Sequence, residues 1–205
     1  MASTPDDTPK LVLASASTSR AGLLCGAGVD FMIDPADIDK SIIKHECRVG
    51  GRDAESCAMA LAEAKAAVVA PRHPQPLVIG ADQILICGGE WFDKPRDLAE
   101  AAAQLRRLRG REHVLVTACC VQRNGETLWQ AISTPKLTMR QFGAAFLAGY
   151  IAAEGEAVFG SVGAYRIEGR GVQLFARIEG DHFAILGLPL IELLSFLRGR
   201  GVVGE

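Results

Sequence analysis

Short apolar runs alternate with stretches of helical spacing along the whole chain, the pattern of a protein that mixes strands and helices. Leu11 to Leu13 reads as a short strand, Ala21 to Gly26 as helix, and Phe31 to Ile33 as a second strand. Ser41 to Val49 and Arg52 to Ala70 have helical periodicity, parted by Gly50-Gly51. In the second, Met59, Leu61, Ala62, Ala66 and Val69 supply a buried face. The proline-rich Pro71 to Pro76 ends that helix and leads into Leu77 to Ile86, an apolar run that predicts a buried central strand. Gly88-Gly89 predicts a hairpin that returns through Glu90 to Phe92.

The second half continues the mixture. Asp97 or Pro95 opens a helix that runs to Arg109, with Leu98, Ala101, Ala102, Leu105 and Leu108 as its apolar stripe. Val114 to Gln122 and Glu126 to Thr134 pair around Arg123-Asn124-Gly125, a strong hairpin signal. Lys136 to Arg140, Val172 to Ile178 and Phe183 to Leu186 read as strands, Phe142 to Ala153 as helix. Leu190 to Arg198 is a final helix with Pro189 near its first turn. The order predicts an α/β fold with a mixed sheet and two lobes around a cleft. Residues 1–9, polar and with two prolines, read as a flexible tail, and residues 10–205 as one domain.

Composition narrows the class. A chain of 205 residues can bury a sizeable core, and a net charge of −2 offers no basic field for nucleic acid or an anionic membrane surface. The cluster Arg106, Arg107, Arg109 and Arg111 reads as a solvated helix end, since no aromatics interleave with it. No apolar run approaches the length of a membrane-spanning helix, and the first residues lack the basic and apolar regions of a signal peptide, so the chain reads as cytoplasmic. The six cysteines form no Cys-x-x-Cys pair and read as small buried hydrophobes. The adjacent Cys119 and Cys120 would point to opposite faces of a strand.

One carboxylate interrupts the central apolar run. Asp82 must be compensated by hydrogen bonds, cations or a metal, or else cap a turn at a strand end. Upstream, Ser15-Ala16-Ser17-Thr18-Ser19-Arg20 joins a strand to a helix. Hydroxyls, helix N–H groups and a forked cation suit a phosphate there, while N-capping by Ser17 or Ser19 is the plainer account. Lys65 lies well inside its helix, where an exposed salt-bridging lysine is the default, and Lys94 precedes a proline. Neither a Gly-x-x-x-x-Gly-Lys-Ser/Thr run nor a Gly-x-Gly-x-x-Gly run after a strand is present. The residues alone reach as far as an enzyme of phosphate esters.

A resemblance reaches further. Leu13 to Arg20, Ala62-Glu63-Ala64-Lys65-Ala66, Ile79-Gly80-Ala81-Asp82-Gln83, Lys94-Pro95, Gly160 to Tyr165, Ile178-Glu179-Gly180-Asp181 and Gly187-Leu188-Pro189 occur in an order and spacing that resemble the Maf family of nucleoside triphosphate pyrophosphatases, from about Lys10 to Arg200. The resemblance implies a fold similar to that of inosine triphosphate pyrophosphatases. It also implies hydrolysis of a nucleoside triphosphate to the monophosphate and pyrophosphate with a divalent cation, Mg²⁺ or Mn²⁺. In that pattern Asp82 matches the general base, Ser15, Ser17, Ser19 and Arg20 the phosphate-binding turn, and Lys65 and Lys94 the lysines that face the triphosphate.

Ser19, Gln83 and Glu168 match base-selecting positions. Gln83 and Glu168 resemble the branch associated with 7-methyl-GTP, and Ser19 departs from it. Lys40 stands where the family commonly has an acidic residue, which leaves Asp82 and Asp39 as the expected metal ligands, with Asp37 an alternative to Asp39. The expected partner is the nucleotide, with no nucleic acid and no membrane. The apolar C-terminal helix or the hairpins would allow a homodimer. A second reading, a nucleotide-binding regulator linked to cell-division arrest, is favoured by Lys40 alone.

Overall fold

The strand that carries the isolated carboxylate is the spine of the molecule. In a computed structural model that describes residues 10–204, β3 (Leu77–Cys87) lies beside β1 (Leu11–Leu13) on one edge and β5 (Glu112–Arg123) on the other. The eight strands among the described residues form one mixed sheet, whose main path runs β2 (Met32–Ile33), β1, β3, β5, β7 (Lys136–Met139), β8 (Phe175–Glu179). Two further strands attach by hairpins, β4 (Glu90–Phe92) to β3 and β6 (Glu126–Ser133) to β5. The tail expected over residues 1–9 lies outside the described residues.

Pairing on β3 is uneven around Asp82. Along one edge, β1 covers Leu77 to Ile79 in parallel and β4 covers Leu85 to Cys87 in antiparallel sense. Between them Gly80 to Ile84 pair only with β5, Asp82 standing opposite Ala118. Strand β5 divides in the same way, pairing with β7 at Glu112 to Val114 and with β6 from Thr117 onward. The sheet therefore splays into two lobes, and the chain leaving β1 turns into helix α1 (Thr18–Gly26) at the split. A strand-order break of this kind is where open α/β sheets take their ligands.

Helices α2 (Lys40–Val49) and α3 (Ala54–Val69) cover one face, where Leu61, Ala62 and Ala66 pack on Val78, Ile84 and Ala118. Helices α1 and α7 (Leu190–Gly199) cover the other, with Leu24, Leu193 and Leu197 against Leu11, Ile79 and Val121. The second lobe has its own core, in which α4 (Leu98–Leu108) and α5 (Ala144–Glu154) bury Leu105, Leu108 and Leu147 with Leu115 and Leu137. Alternation along β5 sends Cys119 into one core and Cys120 into the other, as their adjacency required, and every cysteine among the described residues is free.

Three expectations need correction. Phe183 to Leu186 is not a strand: His182–Ile185 is a short helix, α6, because the Asp181 carboxylate accepts the Phe183 and Ala184 N–H groups and so starts a helical turn. The strand expected from Val172 begins only at Phe175. Arg170–Leu174 is a 3₁₀ turn in which Gly171 lies so close to the Arg166 backbone that no side chain fits. Cys25 is exposed rather than buried. No helix among the described residues is long and apolar enough to cross a membrane.

Candidate active site

Asp82 projects from the half-paired part of β3 toward α3 and is 2% exposed. What brings α3 so close is Gly80, two residues earlier: a Cβ there would overlap the Ala62 carbonyl and lie 3.0 Å from the Ala66 Cβ. The close approach delivers Lys65, three residues after Ala62, to the strand. Its ammonium donates to the Ala81 carbonyl at 2.8 Å and to Asp82 Oδ1 at 2.5 Å. Lys65 is 5% exposed, so the exposed lysine expected by default is wrong. Helix α3 is alanine-rich, and its periodicity marks no polar face on which a lysine would have to stay.

A second ammonium reaches the same oxygen. Lys40, the first residue of α2, donates to Asp82 Oδ1 at 2.7 Å. Its position is set by Asp39, the N-cap, whose Oδ1 accepts the Ser41 N–H at 2.8 Å and the Ser41 hydroxyl at 2.6 Å. One turn on, the buried Lys44 pairs with Asp93, and Gln104 Nε2 donates to the Asp93 carbonyl at 3.0 Å. These two contacts hold the strand-to-helix connection that carries Lys94.

Arg20 supplies a further cation from the other side. Its guanidinium donates to Ser15 Oγ at 3.1 Å and to the Gly187 carbonyl at 2.8 Å, and the residue is buried. Ser17 caps α1, its side chain accepting the Arg20 N–H at 3.4 Å, while its own N–H donates to Ser15 Oγ at 3.3 Å. Capping of α1 and the placement of Arg20 are thus one structure in this turn. Ser15, Ser17 and Arg20 form a network, and Ser19 takes no part in it.

The protonation states follow from this crowding. Burial alone would raise the Asp82 carboxyl, but the charges of Lys65, Lys40 and Arg20 outweigh it and hold the group well below the usual carboxylate range. Asp82 is ionised at any physiological pH. Burial brings Lys65 down to about 7, with Asp82 opposing and Arg20 and Lys40 adding to the shift. Partial desolvation of the Lys94 ammonium, reinforced by Lys40 and Arg20 and offset by Asp82, lowers its pKa as well. Lys65 and Lys40 contact the carboxylate and Arg20 and Lys94 add positive charge around it, an excess that would suit a polyanion.

Gln83, one residue on, points toward α6. Its Nε2 donates to Thr117 Oγ1 at 2.7 Å, the Ala184 carbonyl at 3.0 Å and the Ile185 carbonyl at 3.2 Å. Two of these partners are backbone carbonyls, which accept only, so the amide nitrogen faces them and the amide oxygen points the other way. Glu168 is exposed and engaged by Arg166 Nε at 3.4 Å. It shares no hydrogen bond with the Asp82 cluster. The residues that sequence reasoning missed are Lys40 as a partner of Asp82, the Lys44–Asp93 pair and the Gly187 carbonyl. The signal for Lys40 was present, as a cation where an acid was expected, but only the fold shows what it touches.

As to a metal, no three His, Cys, Asp or Glu residues are grouped as ligands among the described residues. Asp82 Oδ1 carries two ammoniums and Asp39 Oδ1 is committed to Ser41. The donor set does not fit a metal held by protein alone. It is compatible with a divalent cation whose other ligands are phosphate oxygens and water, which needs only one or two carboxylates from the protein.

The family model described as Maf-like protein matches residues 10–200. A protein of Granulibacter bethesdensis named nucleoside triphosphate pyrophosphatase is 51% identical over 189 residues, 92% of this chain and 96% of that one. A protein of the same name from Paramagnetospirillum magneticum is 50% identical over 190 residues, 93% and 98% of the two chains. A 7-methyl-GTP pyrophosphatase of Rhizobium etli is 44% identical over 196 residues, 96% and 98% of the two.

Proposed function

The chain belongs to the Maf family, and from that premise we propose that it hydrolyses nucleoside triphosphates to the monophosphate and pyrophosphate at the Asp82 cluster. The observation that carries this reading is the buried Asp82 carboxylate held by Lys65 and Lys40 where β1 and β4 leave the edge of β3 open. A capped structural Asp would need neither two ammoniums nor a neighbouring arginine.

In this reading the triphosphate lies among Arg20, Lys40, Lys65 and Lys94, with the turn Ser15 to Ser19 and the start of α1 donating to its oxygens. Asp82 orients a water toward the α-phosphorus. As the water oxygen bonds to phosphorus, the bond to the β-phosphate oxygen breaks and pyrophosphate leaves. The water proton passes to Asp82 and on to solvent. Asp82 is too acidic to be a strong base, so its role is to orient the water and take the proton late, while the cations stabilise the charge on the α-phosphoryl and the leaving group. Asp82, with Asp39 the second candidate ligand, would hold a divalent cation, which would supply charge stabilisation and a more acidic water. Gln83 Oε1 and Glu168 are both acceptors, which suits a base with N–H donors such as a guanine, 7-methyl-GTP included. The relatives' names favour the enzyme over the regulator.

Pyrophosphate release from a panel of nucleoside triphosphates that includes 7-methyl-GTP tests the reading. Asp82→Asn is expected to lower turnover by about 10² to 10⁴-fold. Undiminished turnover in that variant removes the mechanism, and no turnover of any nucleotide by the unmodified protein removes the activity.

A further inference from the structure

The two ammoniums on Asp82 Oδ1 are not equivalent. Lys65 has a side chain 6% exposed and a second acceptor in the Ala81 carbonyl, so it is fixed in the wall of the site. Lys40 has a side chain 42% exposed and Asp82 as its one hydrogen-bonding partner among the described residues, so it is free to swing out. Lys44, the next residue on that face of α2, is taken by Asp93. The carboxylate nearest to Lys40 in sequence, Asp39, is occupied by Ser41.

We infer that Lys40 is an exchangeable counter-cation: it keeps divalent metal off Asp82 in the nucleotide-free protein and transfers to the polyphosphate when the nucleotide binds. The inference rests on reading this cluster as the triphosphate site. A divalent ion on Asp82 Oδ1 would sit within a few ångströms of the Lys40 ammonium and of Lys65, with Arg20 and Lys94 nearby, and that positive surround opposes what one carboxylate offers. A triphosphate reverses the balance. Its negative charges accept Lys40, one edge of Asp82 is released, and the metal arrives already bound to phosphate. Metal and nucleotide therefore bind in a set order, the nucleotide first or the two together.

Titration of the nucleotide-free, full-length protein with Mn²⁺ alone, followed by electron paramagnetic resonance, tests this without any turnover. The unmodified protein is expected to bind no Mn²⁺ below the millimolar range. Lys40→Glu, which puts a second carboxylate beside Asp82, and Lys40→Met, which removes only the charge, are both expected to tighten Mn²⁺ binding by tenfold or more, and Lys40→Glu combined with Asp82→Asn to lose the gain. Tripolyphosphate in the presence of EDTA is expected to bind the unmodified protein at least tenfold tighter than Lys40→Glu. Micromolar Mn²⁺ binding by the unmodified protein, or no gain in either Lys40 variant, overturns the inference even if the protein proves to be an active pyrophosphatase. Absence of pyrophosphatase activity with the expected Mn²⁺ behaviour would instead remove the functional reading and leave the Lys40 exchange standing.

Discussion

Two buried polar groups sit on neighbouring strands of the same sheet and differ in one respect that separates their roles. Asp82 on β3 is charged and attended by cations. His113 on β5, 1% exposed, has for its Nε2 only the hydroxyl of Tyr165 at 3.0 Å, with the rings of Tyr165 and Phe175 packed around it. Burial lowers His113 to about 4, so at neutral pH it is an uncharged core residue. Burial is the same for both. A charge kept against burial, by groups that themselves lose stability through crowding, marks the site, and a group that burial has neutralised marks the core.

The sharpest way to break that distinction is through Lys65. Lys65→Met keeps much of the side-chain volume and removes the ammonium, and we expect pyrophosphate release to fall by about 10² to 10³-fold, the loss seen when one fixed donor to developing charge is removed. A variant that retains most of its turnover would make the Lys65–Asp82 pair a structural ion pair like any other.

The converse experiment addresses His113. Its folded pKa lies below the unfolded value, so the unfolded chain binds more protons between about 6.5 and 4. The contribution is complete above pH 6.5 and is lost as pH falls toward 4, amounting to about 3 kcal/mol. Urea unfolding of the unmodified protein and of His113→Gln, at pH 7 and pH 4.5, should show a smaller acid-induced loss in the variant, with its pyrophosphate release at pH 7 within about twofold of normal. An equal acid loss in both proteins would show that His113 is not held neutral by the fold.

Much of this contrast was legible from the sequence, for physical reasons that also explain where legibility stopped. Asp82 stands out because a carboxylate in an apolar run has to be compensated, and the hydroxyl-rich turn stands out because one cap needs one hydroxyl. The sheet and most helices follow from periodicity. Helix α6 does not, since four residues are too few to show a period and its start is set by the Asp181 side chain. For Lys65 the ordinary rule for lysines gave exposure and only the resemblance put it in the site, and the contact of Gly80 with Ala62 shows why α3 lies on the strand. The oxygen shared by Lys40 and Lys65 is a product of tertiary packing, to which no sequence spacing points.

A third carboxylate sharpens the comparison from the other direction. Asp34, just beyond β2, also has two side-chain partners: Arg72 donates from both Nε and Nη2 at 2.9 Å, and His73 Nε2 lies 2.7 Å from Oδ2. On paper it has a better forked pair than Asp82. Its side chain is 27% exposed against 4% for Asp82, and the Arg72 side chain is 47% exposed, so water competes for every charge in the group. Exposed pairs of this kind contribute from nothing to about 1 kcal/mol, weakened further by salt. Arg72→Ala should therefore move the urea midpoint by less than about 1 kcal/mol equivalent, lose even that in 0.5 M salt, and leave pyrophosphate release unchanged. A loss of activity in Arg72→Ala comparable to that in Lys65→Met would mean that partner count, rather than burial of the charge, distinguishes the site, and the contrast between Asp82 and the rest of the molecule would have to be redrawn.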